Sequence, residues 1–280
     1  MPLKQTIGFI GAGKMATALA KGIVRSSLVK PGKIVASDIF PAARKAFAKE
    51  IGAKVTPLNT EVFKKASVII LAVKPHQVEE VFTGIKDVVS RQHLIISIVA
   101  GLKTTASVFG KVFGPKPAFR FIRVMPNTPA VTGNGASGMY ANHRVSKSQR
   151  AQAQKIMEAV GIAVWVDEES LINTVTAVSG SGPAYFFYLM DAMVKAAQEG
   201  GLNPETSRQL TLQTALGAAQ LALVSDESPT ELRRRVTSPG GTTQAAVEIL
   251  DKNGCKEILI RAVHAARERS VELAKLLGEQ

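Results

Sequence analysis

The chain has a single cysteine, Cys255, in 280 residues, so it can form no internal disulfide and suits a reducing compartment such as the cytoplasm. Three tyrosines and one tryptophan offer little for base stacking. The formal charge of +13 would favour anionic partners, but the longest basic cluster is only Arg233, Arg234 and Arg235. The surplus therefore reads as a solvated basic surface that helps to attract an anionic cofactor, and no nucleic-acid partner is expected. No apolar run reaches the roughly 18 residues of a membrane span, so no membrane association is expected. A strand pattern begins almost at once, leaving no room for a signal or transit peptide. His76, His93, His143 and His264 lack metal-type spacing or an evident carboxylate orienter, and no metal is expected. No G-x-S-x-G nucleophile elbow occurs either.

The first 165 or so residues alternate short β-branched runs with helical stretches, the pattern of a parallel sheet with crossover helices. Strands are predicted at 6–10, 33–37, 67–73, 93–99 and 118–125, with 136–142 and 162–167 extending the sheet. A helix is predicted over 146–161, capped by Ser146. Beyond residue 168 the strand signal stops, giving two domains, 1–167 and 168–280. Phe186, Leu189, Met190 and Met193 spread around one helix, as Leu210, Leu212, Leu216 and Leu221 do around the next. Helices this apolar need cover on nearly all sides, which a second copy of the chain would supply. The last helix is amphipathic, with Leu259, Val263, Ala266, Ser270, Leu273 and Leu277 on one face. The fold class is α/β: a Rossmann-type parallel-sheet domain followed by an all-helical domain.

"IGFIGAGKMATALAKGI" (7–23) places Gly11, Gly13 and Ala16 in the pattern G-x-G-x-x-A between a strand and a helix. Gly11 suits the tight turn, Gly13 the approach of a pyrophosphate to the backbone, and Ala16 close packing of helix on strand. The phosphates would sit at the helix start, where free N–H groups and the dipole favour anions. Asp38, ending the second strand, could accept from a ribose 2′-hydroxyl and would repel a 2′-phosphate. Ser37, Arg44 and Lys45 could favour the phosphate, and Asp38 could equally cap the next helix, so NADH and NADPH both stay open. "LAVKPHQV" (71–78) ends a buried strand where Ala72, Val73 and Lys74 can present backbone to the cofactor, and Pro75 turns the chain. "SIVAG" (97–101) closes the next strand in the same way.

A bound dinucleotide implies hydride transfer. Three hydroxyl- and glycine-rich loops remain to handle the acceptor: "MPNTPA" (125–130), "TAVSGSGPAY" (176–185) and "TSPGGTTQA" (237–245). The last offers successive N–H groups and a hydroxyl ahead of a helix, suited to a carboxylate and one hydrogen bond to a neutral atom; a plain helix cap is the alternative. An imine acceptor fits this equipment, because a protonated C=N carbon takes hydride without a metal or strong general acid.

"GFIGAGKMA", "AVKP", "NTPA", "SGSGPAY" and "SPGGTT", in this order and spacing, make the whole chain closely resemble the pyrroline-5-carboxylate reductases of proline biosynthesis. The resemblance implies a Rossmann domain, a helical dimerisation domain, an active site built between subunits, and NAD(P)H-dependent reduction of a cyclic imine to L-proline. It implies dimers, commonly assembled in the family as decamers of five dimers. Carried onto this chain, the cofactor set becomes Ile10, Gly11, Ala12, Gly13, Lys14 and Met15, with Ser37, Asp38 and Asn59 at the adenosine ribose. Ala72, Val73, Lys74 and Pro75 follow along the phosphates and nicotinamide, with Val99 and Ala100 nearby. The substrate loop becomes Ser238, Pro239, Gly240, Gly241, Thr242 and Thr243: Gly241 and Thr242 N–H groups for the carboxylate, and Thr243 as the catalytic hydroxyl on the ring nitrogen. Family members that prefer NADPH often carry a phosphate-tolerant residue where this chain has Asp38. A β-hydroxyacid dehydrogenase would need a lysine soon after Gly180-Ser181-Gly182, where none comes before Lys195. A non-catalytic nucleotide or nucleic-acid binder is the alternative from another class.

Overall fold

The computed structural model describes residues 3, 5–114 and 119–279, with side chains through Leu276, so Ala118 and the side chain of Leu277 lie outside the described residues. Eight strands form one sheet: β1 (Ile7–Ile10), β2 (Ile34–Ser37), β3 (Lys54–Thr56), β4 (Val68–Leu71), β5 (Leu94–Ser97), β6 (Arg120–Met125), β7 (Gly135–Ala141) and β8 (Gly161–Trp165). Their order is β3-β2-β1-β4-β5-β6-β7-β8. The helices that accompany them are α1 (Lys14–Arg25), α2 (Pro41–Ile51), α3 (Asn59–Lys65), α4 (Val78–Ile85), α5 (Ser107–Phe113) and α6 (Lys147–Glu158).

The strands β1 to β6 are mutually parallel, and the apolar runs of β1, β4 and β5 are buried by helices on both faces. One face packs Phe9, Leu19, Ile23 and Phe47, the other Phe82, Phe109 and Phe121 in edge-on ring contacts. Two features depart from the sequence reading. β3 was not expected, since a three-residue edge strand reading Lys-Val-Thr carries almost no periodic signal. β7 runs antiparallel to β6, and β8 follows β7, so the sheet is mixed. Residues 126–134 are too few for the crossover that a parallel pair requires. The helix expected over 146–161 is α6, capped by Ser146 and Gln149 in reciprocal hydrogen bonds.

The remaining helices are α7 (Ile172–Val175), which runs into a π turn at Thr176–Gly180, then α8 (Gly182–Glu199), α9 (Pro204–Val224), α10 (Pro229–Arg235), α11 (Thr242–Lys252) and α12 (Cys255–Glu279). Among the described residues no helix is long and apolar enough to cross a membrane. Two compact units result, one of residues 1–181 with 266–280 and one of residues 182–265. The division differs from the 167/168 boundary of the sequence pattern. Val175 of α7 fills the space left by Gly138 on β7, and Ser270 of α12 donates a buried hydrogen bond to Asn173 Oδ1 at 3.0 Å. Within residues 182–265 no apolar side chain is buried: Phe186, Phe187, Leu210, Leu216 and Leu221 each expose about half or more of their surface.

Candidate active site

The sheet changes winding direction between β1 and β4, and open α/β sheets bind ligands beyond the strand ends at such a point. Ala72 N–H donates to Ile10 O (2.8 Å) and Gly11 N–H to Ser37 O (2.8 Å), which draws the ends of β4, β1 and β2 together. Gly11 has φ +95°, and a Cβ there would stand 2.6 Å from Ala72 O, so both its conformation and its neighbour require glycine. Gly13, by contrast, has open space where a side chain would lie. It is the N-cap of α1, which has neither a side-chain cap nor an acidic residue in its first turn. The first N–H groups of α1 are thus left without a side-chain partner, the arrangement that favours an anion.

A cleft of about 450 Å³ opens here. Gly11 and Gly13 line it, with Ser37, Asp38 and Asn59 on the β2–β3 side and Ala72, Val73 and Lys74 on the β4 side. Lys14 and Met15 occupy the first turn of α1. Ile10, Ala12 and Val99 are buried, so only their main chain can serve a ligand, and Val99 N–H already faces Ser97 Oγ at 3.3 Å. Pro75 and Ala100 instead line a second groove of about 560 Å³, shared with Gly101, Thr176, Ser181 and Ser270 of the same unit.

The acidic end of β2 is held by the backbone. Asp38 Oδ2 accepts from Ala12 N–H (2.8 Å) and Oδ1 from Phe40 N–H (2.9 Å). Ser37 is fully buried and its hydroxyl donates to Asn59 Oδ1 at 2.6 Å. Sequence reasoning missed the apolar rim beside it: Ile39 and Phe40 are each 60% exposed and Leu58 53%, all lining the cleft. Two large apolar residues between Asp38 and Pro41, with no periodic partner, were the available signal. It also missed Gln77, whose Oε1 accepts Lys74 N–H at 3.0 Å, at the spacing of a capping box.

Two of the three hydroxyl-rich loops meet in this unit. Buried Asn127 of "MPNTPA" donates through Nδ2 to Ser179 O (3.0 Å) and accepts Ala136 N–H (2.9 Å), pinning the π turn of "TAVSGSGPAY". Gly180 lets Met125 lie against that turn, because a Cβ there would stand 2.7 Å from Met125 Cε. Single π turns recur at functional sites, since the wide turn redirects the chain. Just before it, Glu169 accepts Thr104 N–H (2.7 Å) and Thr104 Oγ1–H (2.6 Å) and lies 3.4 Å from buried Arg123. Burial pushes the Arg123 guanidinium below its ordinary value, and the charge and hydrogen bond of Glu169 oppose that shift. Glu169 thereby clamps the loop after β5, which carries Val99 and Ala100, to the approach of the π turn.

The third loop, Ser238–Thr243, belongs to the helical unit. Gly240 has φ +70° and its N–H donates to Gln244 Oε1 (2.7 Å), while Gly241 N–H closes the turn on Ser238 O (3.0 Å). Gly241 was expected to hold a carboxylate through that N–H; with it turned to Ser238, the exposed start of α11 leaves Thr242 and Thr243. Ser146, Asn203 and Ser228 cap α6, α9 and α10 with their side chains, but α11 begins at Gly241 with no such cap. Ser238, Pro239, Gly240 and Thr242 are exposed, and Thr243 is half-buried. Arg233, Arg234 and Arg235 each face a carboxylate, of Asp251, Glu231 and Glu227 respectively.

Residues 6–101 match a family model described as NADP oxidoreductase, coenzyme F420-dependent, and residues 169–273 one described as pyrroline-5-carboxylate reductase dimerisation. The pyrroline-5-carboxylate reductase of Pseudomonas aeruginosa is 48% identical over 273 residues, 98% of each chain. That of Methanosarcina acetivorans is 38% identical over 271 residues, covering 97% of this chain and 98% of its own. Among solved structures, a pyrroline-5-carboxylate reductase from Coxiella burnetii superposes with a TM-score of 0.89 at 40% identity, over 97% of this chain and 99% of that one. The Plasmodium falciparum pyrroline carboxylate reductase, solved with NADP bound, gives 0.85 at 29% identity over 98% and 100%. Likeness of this degree over both units and nearly every residue has one consequence: the chain belongs to the pyrroline-5-carboxylate reductase family.

Proposed function

We propose that the protein reduces L-1-pyrroline-5-carboxylate to L-proline with NADH or NADPH. The observation that carries the reading is 48% identity, over 98% of both chains, to a relative named for that reaction. The geometry supports it. The cleft at the β1–β4 switch fits a dinucleotide: a glycine that no side chain could replace, an uncapped helix start for the pyrophosphate, and an apolar rim of Ile39, Phe40 and Leu58 for a flat base. Gly11, Gly13, Lys14 and Met15 hold the phosphates through the backbone, Asp38 and Asn59 the ribose, and Ala72 to Pro75 with Val99 and Ala100 the nicotinamide side.

When bound, the reduced dinucleotide would supply the hydride for the imine carbon, and the proton that the ring nitrogen gains would come from solvent. This chain's part is to bind and orient the imine. Thr242 and Thr243 N–H groups at the start of α11 hold the carboxylate, with Ser238, Pro239, Gly240 and Gly241 shaping the turn. The Thr243 hydroxyl donates to the ring nitrogen, where electron density grows as hydride arrives, so the bond strengthens toward the transition state. The assembly is at least a homodimer joined through the helical unit, with five dimers forming a decamer.

The test is direct. Purified full-length protein given pyrroline-5-carboxylate should oxidise NADH or NADPH, read as loss of reduced-nicotinamide absorbance, and should form proline. Absence of turnover with both cofactors across neutral pH overturns the reading.

A further inference from the structure

The acidic group at the end of β2 is built in, and what surrounds it selects between the two forms of the cofactor. β1 and β2 pair in register, Ile10 opposite Ser37, so the glycine loop and Asp38 leave the sheet side by side. Both Asp38 oxygens are engaged by main-chain donors, Ala12 N–H at 2.8 Å and Phe40 N–H at 2.9 Å. One bond ties the carboxylate to the glycine loop and the other to the entry of α2. Swinging it aside would break both bonds, including the part-buried one from Ala12 N–H. Each oxygen still has a free lone pair, enough to accept from a ribose hydroxyl.

Two of the groups that would welcome a phosphate already have partners, and Lys45 does not line the cleft. The Ser37 hydroxyl is fully buried and donates to Asn59 Oδ1 at 2.6 Å. Arg44, the cation next to Asp38, directs Nη1 to the main-chain oxygens of Asp38 (2.7 Å) and Ile39 (3.1 Å). Among the described residues that line the cleft, Lys74 is the one cation, and it stands at the end of β4, on the other side of β1 from Asp38. A dianionic 2′-phosphate on the β2 side would meet a fixed carboxylate of its own sign in the lining of the cleft, whereas Arg44, held by the main chain through Nη1, lies outside that lining.

We propose that Asp38 makes this protein select NADH over NADPH, by accepting from the ribose 2′-hydroxyl and repelling the 2′-phosphate. The proposal rests on the dinucleotide reading of the cleft and sharpens it. The oxidised forms should discriminate in the same way, because the two cofactors differ only at that position.

Calorimetric titration of the full-length protein with NADH and with NADPH, in the absence of imine, tests it without any turnover. NADH should bind at least about tenfold more tightly at low salt, and the gap should narrow as salt screens the repulsion. Asp38→Asn keeps the size and one acceptor but removes the charge, and should shift the ratio of the two dissociation constants toward NADPH by about tenfold. Asp38→Ser should shift it further in the same direction. Because each variant is its own reference, partial loss of folded protein leaves the ratio intact. Equal or tighter binding of NADPH to the unmodified protein overturns the proposal and leaves the dinucleotide reading standing. So does a ratio that Asp38→Asn leaves unchanged. Failure of both nucleotides to bind overturns the dinucleotide reading itself, and the proposal with it.

Discussion

The sheet-bearing unit and the helical unit solve the burial problem in opposite ways. The first hides apolar side chains on both faces of its sheet, from Phe9 and Phe47 on one to Phe109 and Phe121 on the other. The second, residues 182–265, buries none, and leaves Tyr188, Leu223 and Val224 more than 80% exposed. A chain that exposes this much apolar surface in one contiguous region is an incomplete object, to be finished by another copy. The match of 169–273 to a dimerisation model points the same way. The proposed chemistry divides along this line: the dinucleotide cleft lies in the unit that is complete by itself, the carboxylate-holding loop in the unit that is not.

Truncation of a core ring should show the contrast at its strongest. Phe121 is 1% exposed and packs edge-on against Phe109 at 5.2 Å between centroids. Phe121→Ala is expected to cost about 3–5 kcal/mol, through lost transfer energy and the cavity left behind. The loss, read from urea midpoints, should be the same at every protein concentration, since both partners lie in one unit. A concentration-dependent loss would mean that the sheet unit too relies on assembly.

Next in size is the effect at the substrate loop. Thr243→Ala should lower kcat/KM by roughly 10- to 1000-fold, or about 1.4–4 kcal/mol, if the hydroxyl bonds the ring nitrogen in the transition state. Its melting temperature should stay near that of the unmodified protein, because α11 takes no side-chain cap from it. An unchanged kcat/KM would reduce Thr243 to a helix-start residue.

Smaller again is the loss from trimming the helical face. Leu216 is 49% exposed, so Leu216→Ala should do little to an isolated chain. If a second copy covers it, the lost burial is about 1 kcal/mol per chain, about 2 kcal/mol for the two chains of a dimer, and dimer dissociation becomes about thirtyfold easier. Sedimentation across a dilution series reads this. Equal stability loss at all concentrations, with association unchanged, would show that the helices bury one another without a partner.

Much of this division was legible in the residues. The strands β1, β2, β4, β5 and β6 announced themselves as short β-branched runs, β4 and β5 most clearly because a strand covered on both faces needs an unbroken apolar run. The over-apolar α8 and α9 announced a missing partner for the same reason. What escaped notice was short or non-local. β3 is held by register with β2, and β7 turns antiparallel because the preceding loop is short. The 167/168 boundary lies next to residue 169, where the dimerisation model begins, but that 168–181 and 266–280 group with the sheet was not legible, because Asn173 finds Ser270 across 97 positions, a pairing that no local pattern encodes. The cleft residues followed from the glycine loop, but the state of their donors did not. Nothing in "SPGGTT" says that Gly241 N–H is committed to Ser238 O, or in "ASD" that Asp38 is tied to Ala12.

The smallest effect is expected where the sequence is most conspicuous. Arg234 is 75% exposed, and its Nε lies 2.9 Å from Glu231 Oε2, an i, i+3 pair on α10. Exposed pairs of this kind contribute about 0–1 kcal/mol and are screened by salt, so Arg234→Ala should barely change stability. Its effect on kcat/KM should stay within about twofold at physiological salt and vanish at high salt, as general attraction of an anionic imine would. Arg235 is less free, because Glu227, its partner, is only 29% exposed and has a buried Oε2 with no hydrogen bond. Arg235→Ala would leave that carboxylate without its counter-charge and confuse loss of fold with loss of function, which makes Arg234 the cleaner probe. A tenfold loss for Arg234→Ala that survives high salt would mean that the arginine touches the substrate. The start of α11 would then not hold the carboxylate alone, and the helical unit would contribute charge as well as backbone to the site.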